Sequence, residues 1–241
     1  MLFAASAPAA PPAPKPAPDT MEERAKPCVV CHTAEGRADK DAYYPRLAGK
    51  PAGYLFNQMR HFRDGRRTHR AMSLLMETLS DDFLRALAGH FAAQPVLYAP
   101  PERTTNAAAP ALVTNGDPGR RIPGCASCHG RKLRGVAPVI PGLLGLPRDY
   151  ISAQFGAWRV GTRVAAAPDC MGEIARQLSQ TEVTAIADWL AAQPLPAGAH
   201  SAEPDGIDLE AAKSCGSVRE ALAVSATAVV MPADGKKAVA P

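Results

Sequence analysis

Cys28-Val29-Val30-Cys31-His32 and Cys125-Ala126-Ser127-Cys128-His129 are the stretches that decide how this chain must fold. Cys-x-x-Cys-His is the spacing of covalent c-type haem attachment. The paired thiols add to the vinyl groups of one porphyrin, and the adjacent histidine becomes the proximal iron ligand. A structural zinc site needs four ligands, and neither motif has a second Cys-x-x-Cys or a His-x-x-x-His beside it. One zinc shared between the motifs would leave His32 and His129 without a role. A thioredoxin-like redox pair should follow a strand in a βαβ pattern, and no such pattern surrounds either copy. The motifs therefore predict two covalently attached haem c groups with their iron. Cys28, Cys31, Cys125 and Cys128 are the attachment points, and His32 and His129 the first axial ligands.

The sequence around the motifs is duplicated. Tyr54, Gln58, Phe62, Arg63, Gly65 and Arg67 recur at a constant offset of 96 as Tyr150, Gln154, Trp158, Arg159, Gly161 and Arg163. Each block follows a proline loop, Tyr44-Pro45-Arg46-Leu47-Ala48-Gly49 or Ile140-Pro141-Gly142-Leu143-Leu144-Gly145. Met72 and Leu79-Ser80 match Met171 and Leu178-Ser179 at offset 99, and each unit closes on Ala-Ala-Gln-Pro. Apolar residues at Tyr54, Leu55, Met59 and Phe62 mark a helix that Gly65 ends. Ser80 caps a second helix carrying Phe83, Leu84, Leu87 and Phe91. Ser179 with Glu182 has capping-box spacing before Val183, Ile186, Trp189 and Leu190. The expected organisation is all-α. A Pro/Ala-rich segment or signal remnant covers 1–20, a first domain 21–98, a linker 99–111, a second domain 112–196 and an irregular tail 197–241 lying over the second domain.

The repeat also selects the second iron ligand. A thioether opposite histidine favours reduced iron and raises its potential. Met72 and Met171 occupy matching positions, each expected in a loop after a Gly-x-Arg turn. Met76 is the local rival, but its counterpart is Ala175. His61, His69 and His90 offer a bis-histidine alternative in the first unit, and none has a histidine counterpart in the second. The proximal imidazole must donate its other N–H to a carbonyl or carboxylate, and the Pro45 and Pro141 loops lie at a suitable distance to supply one. Tyr54, Arg67, Tyr150 and Arg163 are candidate haem-propionate contacts.

Composition narrows the rest. A net charge of +4 with no Lys/Arg cluster interleaved with aromatics excludes a nucleic-acid binder. The run Arg60, Arg63, Arg66, Arg67, Arg70 reads as a solvated helix end, a propionate partner or a docking patch. No apolar stretch reaches the length of a membrane span, and Met1–Ala10 is a poor signal peptide because no Lys or Arg precedes Lys15. Export is expected from the haem motifs. On the oxidising side of a membrane the two remaining cysteines, Cys170 and Cys215, are expected to pair beside Met171.

Taken together, Cys-x-x-Cys-His, Tyr-Pro-x-Leu-Ala-Gly, Tyr-x3-Gln-x3-Phe-Arg-x-Gly-x-Arg, Met-x6-Leu-Ser and the closing Ala-Ala-Gln-Pro resemble class I cytochrome c. In tandem they resemble the two-haem periplasmic cytochromes of the c-four type, over about 28–95 and 112–194. The resemblance implies two all-α domains with His/Met-ligated haems at His32, Met72, His129 and Met171. It also implies an electron carrier rather than an enzyme. Its expected place is the periplasm, with peripheral membrane association compatible. Its expected partners are quinol–cytochrome c reductase, a terminal oxidase or a periplasmic dehydrogenase. Two alternatives stay open: a haem subunit of a larger dehydrogenase, and a haem enzyme with one open axial site. Pro27, directly before Cys28, is expected to shorten the first domain's N-terminal helix, and the tail is extra to the family pattern.

Overall fold

The computed structural model describes residues 19–33, 44–98, 100–101, 110–200, 212 and 214–220. The first repeat is built from α1 (Met21–His32), α2 (Ala52–Arg63), α3 (Arg70–Met76) and α4 (Asp81–Ala93). The second follows with α5 (Ala111–Thr114), α6 (Cys125–His129), α7 (Arg148–Arg159), α8 (Cys170–Gln177) and α9 (Gln180–Ala191). A two-residue antiparallel hairpin, β1 (Gly135–Val136) and β2 (Ile140–Pro141), leads out of the second haem motif. The fold is all-α in character.

The duplication is structural as well as sequential. Helix α2 packs on α3 and α4, and α7 packs on α8 and α9. Leu55, Phe56, Phe62, Leu84, Leu87 and Phe91 form the first core, and Tyr150, Ile151, Phe155, Val183, Ile186 and Leu190 the second. Each fully buried aliphatic or aromatic side chain contributes on the order of 1.5–3 kcal/mol. The caps are local and duplicated. Ser80 Oγ accepts from Phe83 N at 3.3 Å. Ser179 Oγ accepts from Glu182 N at 3.2 Å, and the Glu182 carboxylate accepts from Ser179 N at 2.7 Å. In each proline loop a glycine allows close approach to the chain after the last helix. Gly49 (φ +67) and Gly145 (φ +66) would drive a Cβ to 2.1 Å from Val96 and 2.7 Å from Leu195.

Three expectations are corrected. Helix α1 is not short: it runs 12 residues straight through Pro27, while the second motif sits on a helix of only 5 residues. Thr20 caps α1, Glu22 and Glu23 occupy its first turn, and its apolar face, including Ala25, Cys28 and Val29, joins the first core. These contacts offset the roughly 3 kcal/mol that an interior proline costs. Met72 and Met171 lie not in loops but in the first turns of α3 and α8. The residues before them are N-caps: His69 accepts from Met72 N at 3.5 Å, and Asp169 from Gly172 N at 3.0 Å. Finally, the tail does not rest on the second repeat alone. Residues 216–220 are helical, and Glu220 reaches His61 (3.3 Å) and Arg66 (3.3 Å) of the first repeat. Most of the linker 99–111 and of the segment 1–20 lies outside the described residues.

Candidate haem sites

Each Cys-x-x-Cys-His motif opens into an apolar cavity. Cys28, Cys31, His32, Met72 and Met76 are among the residues lining the first, about 390 Å³ in volume. Cys125, Cys128, His129 and Met171 are among those lining the second, about 450 Å³. His32 Nδ1 donates to Pro45 O at 2.9 Å, and His129 Nδ1 donates to Pro141 O at 2.7 Å. A bond from Nδ1–H to a carbonyl fixes the tautomer and leaves the Nε2 lone pair free for a metal. Burial lowers the pKa of both imidazoles, so both stay neutral as ligation requires. Burial pushes the thiols of Cys28, Cys128 and Cys125 up, the last to about 11. Such thiols are not the activated thiolates of a redox centre. Among the described residues no three His, Cys, Asp or Glu side chains cluster as a metal site would require. The donor sets therefore suit covalent porphyrin and not zinc.

The candidate propionate residues meet one another between the two cavities. Arg67 Nη1 donates to Gln58 Oε1 (2.8 Å), and its Nη2 to Tyr150 OH (3.0 Å) and Gln154 Oε1 (2.7 Å). Arg163 mirrors it, reaching Gln154 Oε1 (2.9 Å), Tyr54 OH (3.3 Å) and Gln58 Oε1 (3.0 Å). Each guanidinium lies over an aromatic ring of its own repeat, Arg67 on Phe62 and Arg163 on Trp158. Beneath them the chains pair as an antiparallel bridge, with Thr68 N donating to Thr162 O (2.8 Å) and Val164 N to Arg66 O (2.7 Å). Lys50, Tyr54, Gln58, Tyr150 and Gln154 line both cavities.

Sequence reasoning missed two further cations here. Arg46 donates to Ala48 O and, at 3.4 Å, to Leu144 O, and its Nε has no partner among the described residues. Lys50 Nζ donates to Gly142 O at 2.9 Å. Arg46, Lys50, Arg67 and Arg163 are all buried, yet no aspartate or glutamate is buried among the described residues. Burial lowers the pKa of Arg46 to about 10 and that of Lys50 well below the usual lysine range. Buried charges of one sign are strongly unfavourable unless an anion joins them. This cluster fits a cofactor that brings carboxylates, which is the chemistry of a haem edge.

The histidine alternatives fare unevenly. His61 does not face the first cavity but lines the second, where it bonds Glu220. His90 pairs with Gln94 Nε2 at 3.1 Å and lines neither cavity. His69 lines the first cavity and caps α3. Cys170 and Cys215 are joined by a disulfide, and Cys215, Ser217 and Val218 form part of the second cavity's wall.

Paired cavities of this construction in tandem helical units define a dihaem c-type cytochrome. No family model matches the chain, but individual relatives do. It is 39% identical over 171 residues to the thiosulfate dehydrogenase electron acceptor of Thiomonas intermedia, covering 70% of this chain and 79% of that one. It superposes on cytochrome c4 of Acidithiobacillus ferrooxidans with a TM-score of 0.56 and 27% identity, covering 70% of this chain and 99% of that one. The thiosulfate dehydrogenase TsdBA of Marichromatium purpuratum gives a TM-score of 0.62 and 34% identity, over 70% of this chain and 36% of that one. The chain belongs to the family of dihaem class I c-type cytochromes that contains cytochrome c4 and the thiosulfate dehydrogenase electron acceptors. It is an electron-transfer protein carrying two covalently bound haems c.

Proposed function

We propose that both irons are closed by a histidine and a methionine, His32 with Met72 and His129 with Met171, and that the protein accepts electrons from a periplasmic dehydrogenase. The supporting observation is the duplicated lining: each cavity holds the motif histidine and the repeat-matched methionine from the first turn of the following short helix. Met76 also lines the first cavity, but its counterpart Ala175 has no donor atom.

Each haem supplies one-electron ferric/ferrous chemistry, and a thioether ligand favours the ferrous form. The protein's part is to hold the group and tune it. Pro45 and Pro141 orient the imidazoles through their carbonyls. The Pro27 ring lines the first cavity, where it adds apolar surface and no N–H to satisfy. Tyr54, Arg67, Tyr150, Arg163 and Arg46 would hold propionate carboxylates between the two sites. Iron held by His32 with Met72, and by His129 with Met171, would have no position left for a substrate.

The dehydrogenase partner is supported by two relatives, one an electron acceptor of thiosulfate dehydrogenase and one a thiosulfate dehydrogenase itself. No helix of the described residues is long and apolar enough to cross a membrane, and the periplasm is proposed from covalent haem and family together. Quinol–cytochrome c reductase and a terminal oxidase are proposed as further redox partners.

Redox titration with spectra of wild type, Met72→Ala and Met171→Ala tests the ligand assignment. Each variant should lose about half of the near-red band of Met-ligated ferric haem, and one midpoint potential should fall. A full band in Met72→Ala, with loss in Met76→Ala, would overturn the first assignment. For the partner, thiosulfate should leave the purified ferric protein oxidised until a thiosulfate dehydrogenase is added. Reduction by thiosulfate alone would make the protein an enzyme.

A further inference from the structure

The cations between the cavities break the symmetry of the repeat. At offset 96 Arg46 corresponds to Gly142 and Lys50 to Leu146, so the first repeat contributes two cations that the second does not return. Both reach across. Lys50 Nζ bonds Gly142 O, and Gly142 directly follows Pro141, whose carbonyl holds His129. Lys50 lines both cavities, but its amine is turned to the second repeat, onto the loop that orients His129. Lys50 is nearly fully buried, lies over the Tyr54 ring and has no carboxylate partner among the described residues.

From this geometry we infer that Lys50, a residue of the first repeat, sets the potential of the haem held by the second repeat. An ammonium held near an iron favours the state with one less positive charge, and in a buried site it is poorly screened. Haem carboxylates held by this cluster would favour the charged amine against the burial that lowers its pKa. The second haem's potential then depends on the first repeat being docked, and the second repeat returns no lysine across the contact because Leu146 stands at the matching position. The inference rests on the reading of two closed haem sites.

The experiment uses the full-length holoprotein. Midpoint potentials of both haems are measured in wild type, Lys50→Gln, Lys50→Met and Lys50→Arg. Each potential is assigned by the ligand-methionine NMR signal that disappears in Met72→Ala or Met171→Ala. Lys50→Gln keeps a donor for Gly142 O and removes the charge. It should lower the ferrous-to-ferric ratio of the second haem at fixed ambient potential about tenfold, about 59 mV for a one-electron couple. The first haem should move by less than half as much. Lys50→Arg, which keeps the charge, should stay within about twofold of wild type. If Lys50→Gln does not fold, Lys50→Met carries the same expectation. Equal shifts at both haems, a larger shift at the first, or no shift with the near-red band intact would overturn the lysine's role while leaving methionine ligation standing. A wild-type protein lacking the near-red band would instead overturn the ligation reading.

Discussion

The two haem cavities share a plan and differ at their edges. The first is flanked by Leu75 and Val160, which are 48% and 74% exposed. The second is walled by the tail, through Cys215, Ser217 and Val218. Val218 packs with Val136, Val139 and Ile140 over the loop that supplies the Pro141 carbonyl. The same segment ties down by disulfide to Cys170, immediately before Met171, and by Asn57 Nδ2 to Ser217 O (3.1 Å). Duplication thus supplied two equivalent sites, and a segment outside the repeat made them unequal. Among the described residues, one cavity carries exposed apolar side chains at its edge, and the other takes part of its wall from a segment outside the repeat.

That contrast can be broken most severely at the disulfide. Cys170→Ser with Cys215→Ser frees a loop spanning 45 positions, which should cost about 4 kcal/mol on the chain-entropy estimate. Urea unfolding measures the loss. Cyanide uptake should accelerate at the second haem and stay unchanged at the first, and equal acceleration at both would show that the tail does not distinguish them. A smaller effect is expected from Arg67→Met. It removes a donor from the buried Tyr150 hydroxyl and from the half-buried Gln58 and Gln154 and should destabilise by about 1–3 kcal/mol. Because Arg163 also donates to Gln58 and Gln154, each single variant leaves both amides a donor, and the double variant should lose more than the sum of the two singles. Additive losses would mean that the two arginines serve separate repeats.

The smallest expected effect sharpens the second repeat alone. Arg120 and the Ser179 backbone N–H hold the Glu182 carboxyl down at about 2. A depressed carboxylate contributes stability above its unfolded value, about 4.3, and loses it as pH falls toward about 2. The site is largely solvent-exposed, so screening limits the effect to roughly 0.5–1 kcal/mol. Glu182→Gln should remove that pH dependence without touching either haem, as measured by acid titration of ellipticity against wild type.

Much of this was legible in the chain because its signals are local or repeated. The haem motifs need five adjacent residues, the caps need four, and Met72 with Met171 stands out through a shared offset. Gln58 and Gln154 were visible in the same repeat, but nothing local shows that each accepts from both arginines. Lys50 and Arg46 were hidden for the opposite reason: a repeat comparison highlights matches, and these residues matter where the repeats disagree. The helical setting of the methionines depended on caps from His69 and Asp169, residue types that also favour turns. The reach of Glu220 to Arg66 and His61 depends on how two distant segments meet, which no periodicity encodes.

The antiparallel bridge between Arg67 and Arg163, with its mirrored hydrogen bonds, has the form of an isologous interface, in which one surface meets a copy of itself. Two-fold dimers are built this way from separate chains. Here the linker joins the copies, turning a concentration-dependent association into an intramolecular one with an effective concentration on the order of mM. Covalent joining also removes the requirement that both copies stay identical. A dimer of single-haem chains must place every lysine twice, whereas this chain can keep Lys50 on one side and leucine on the other.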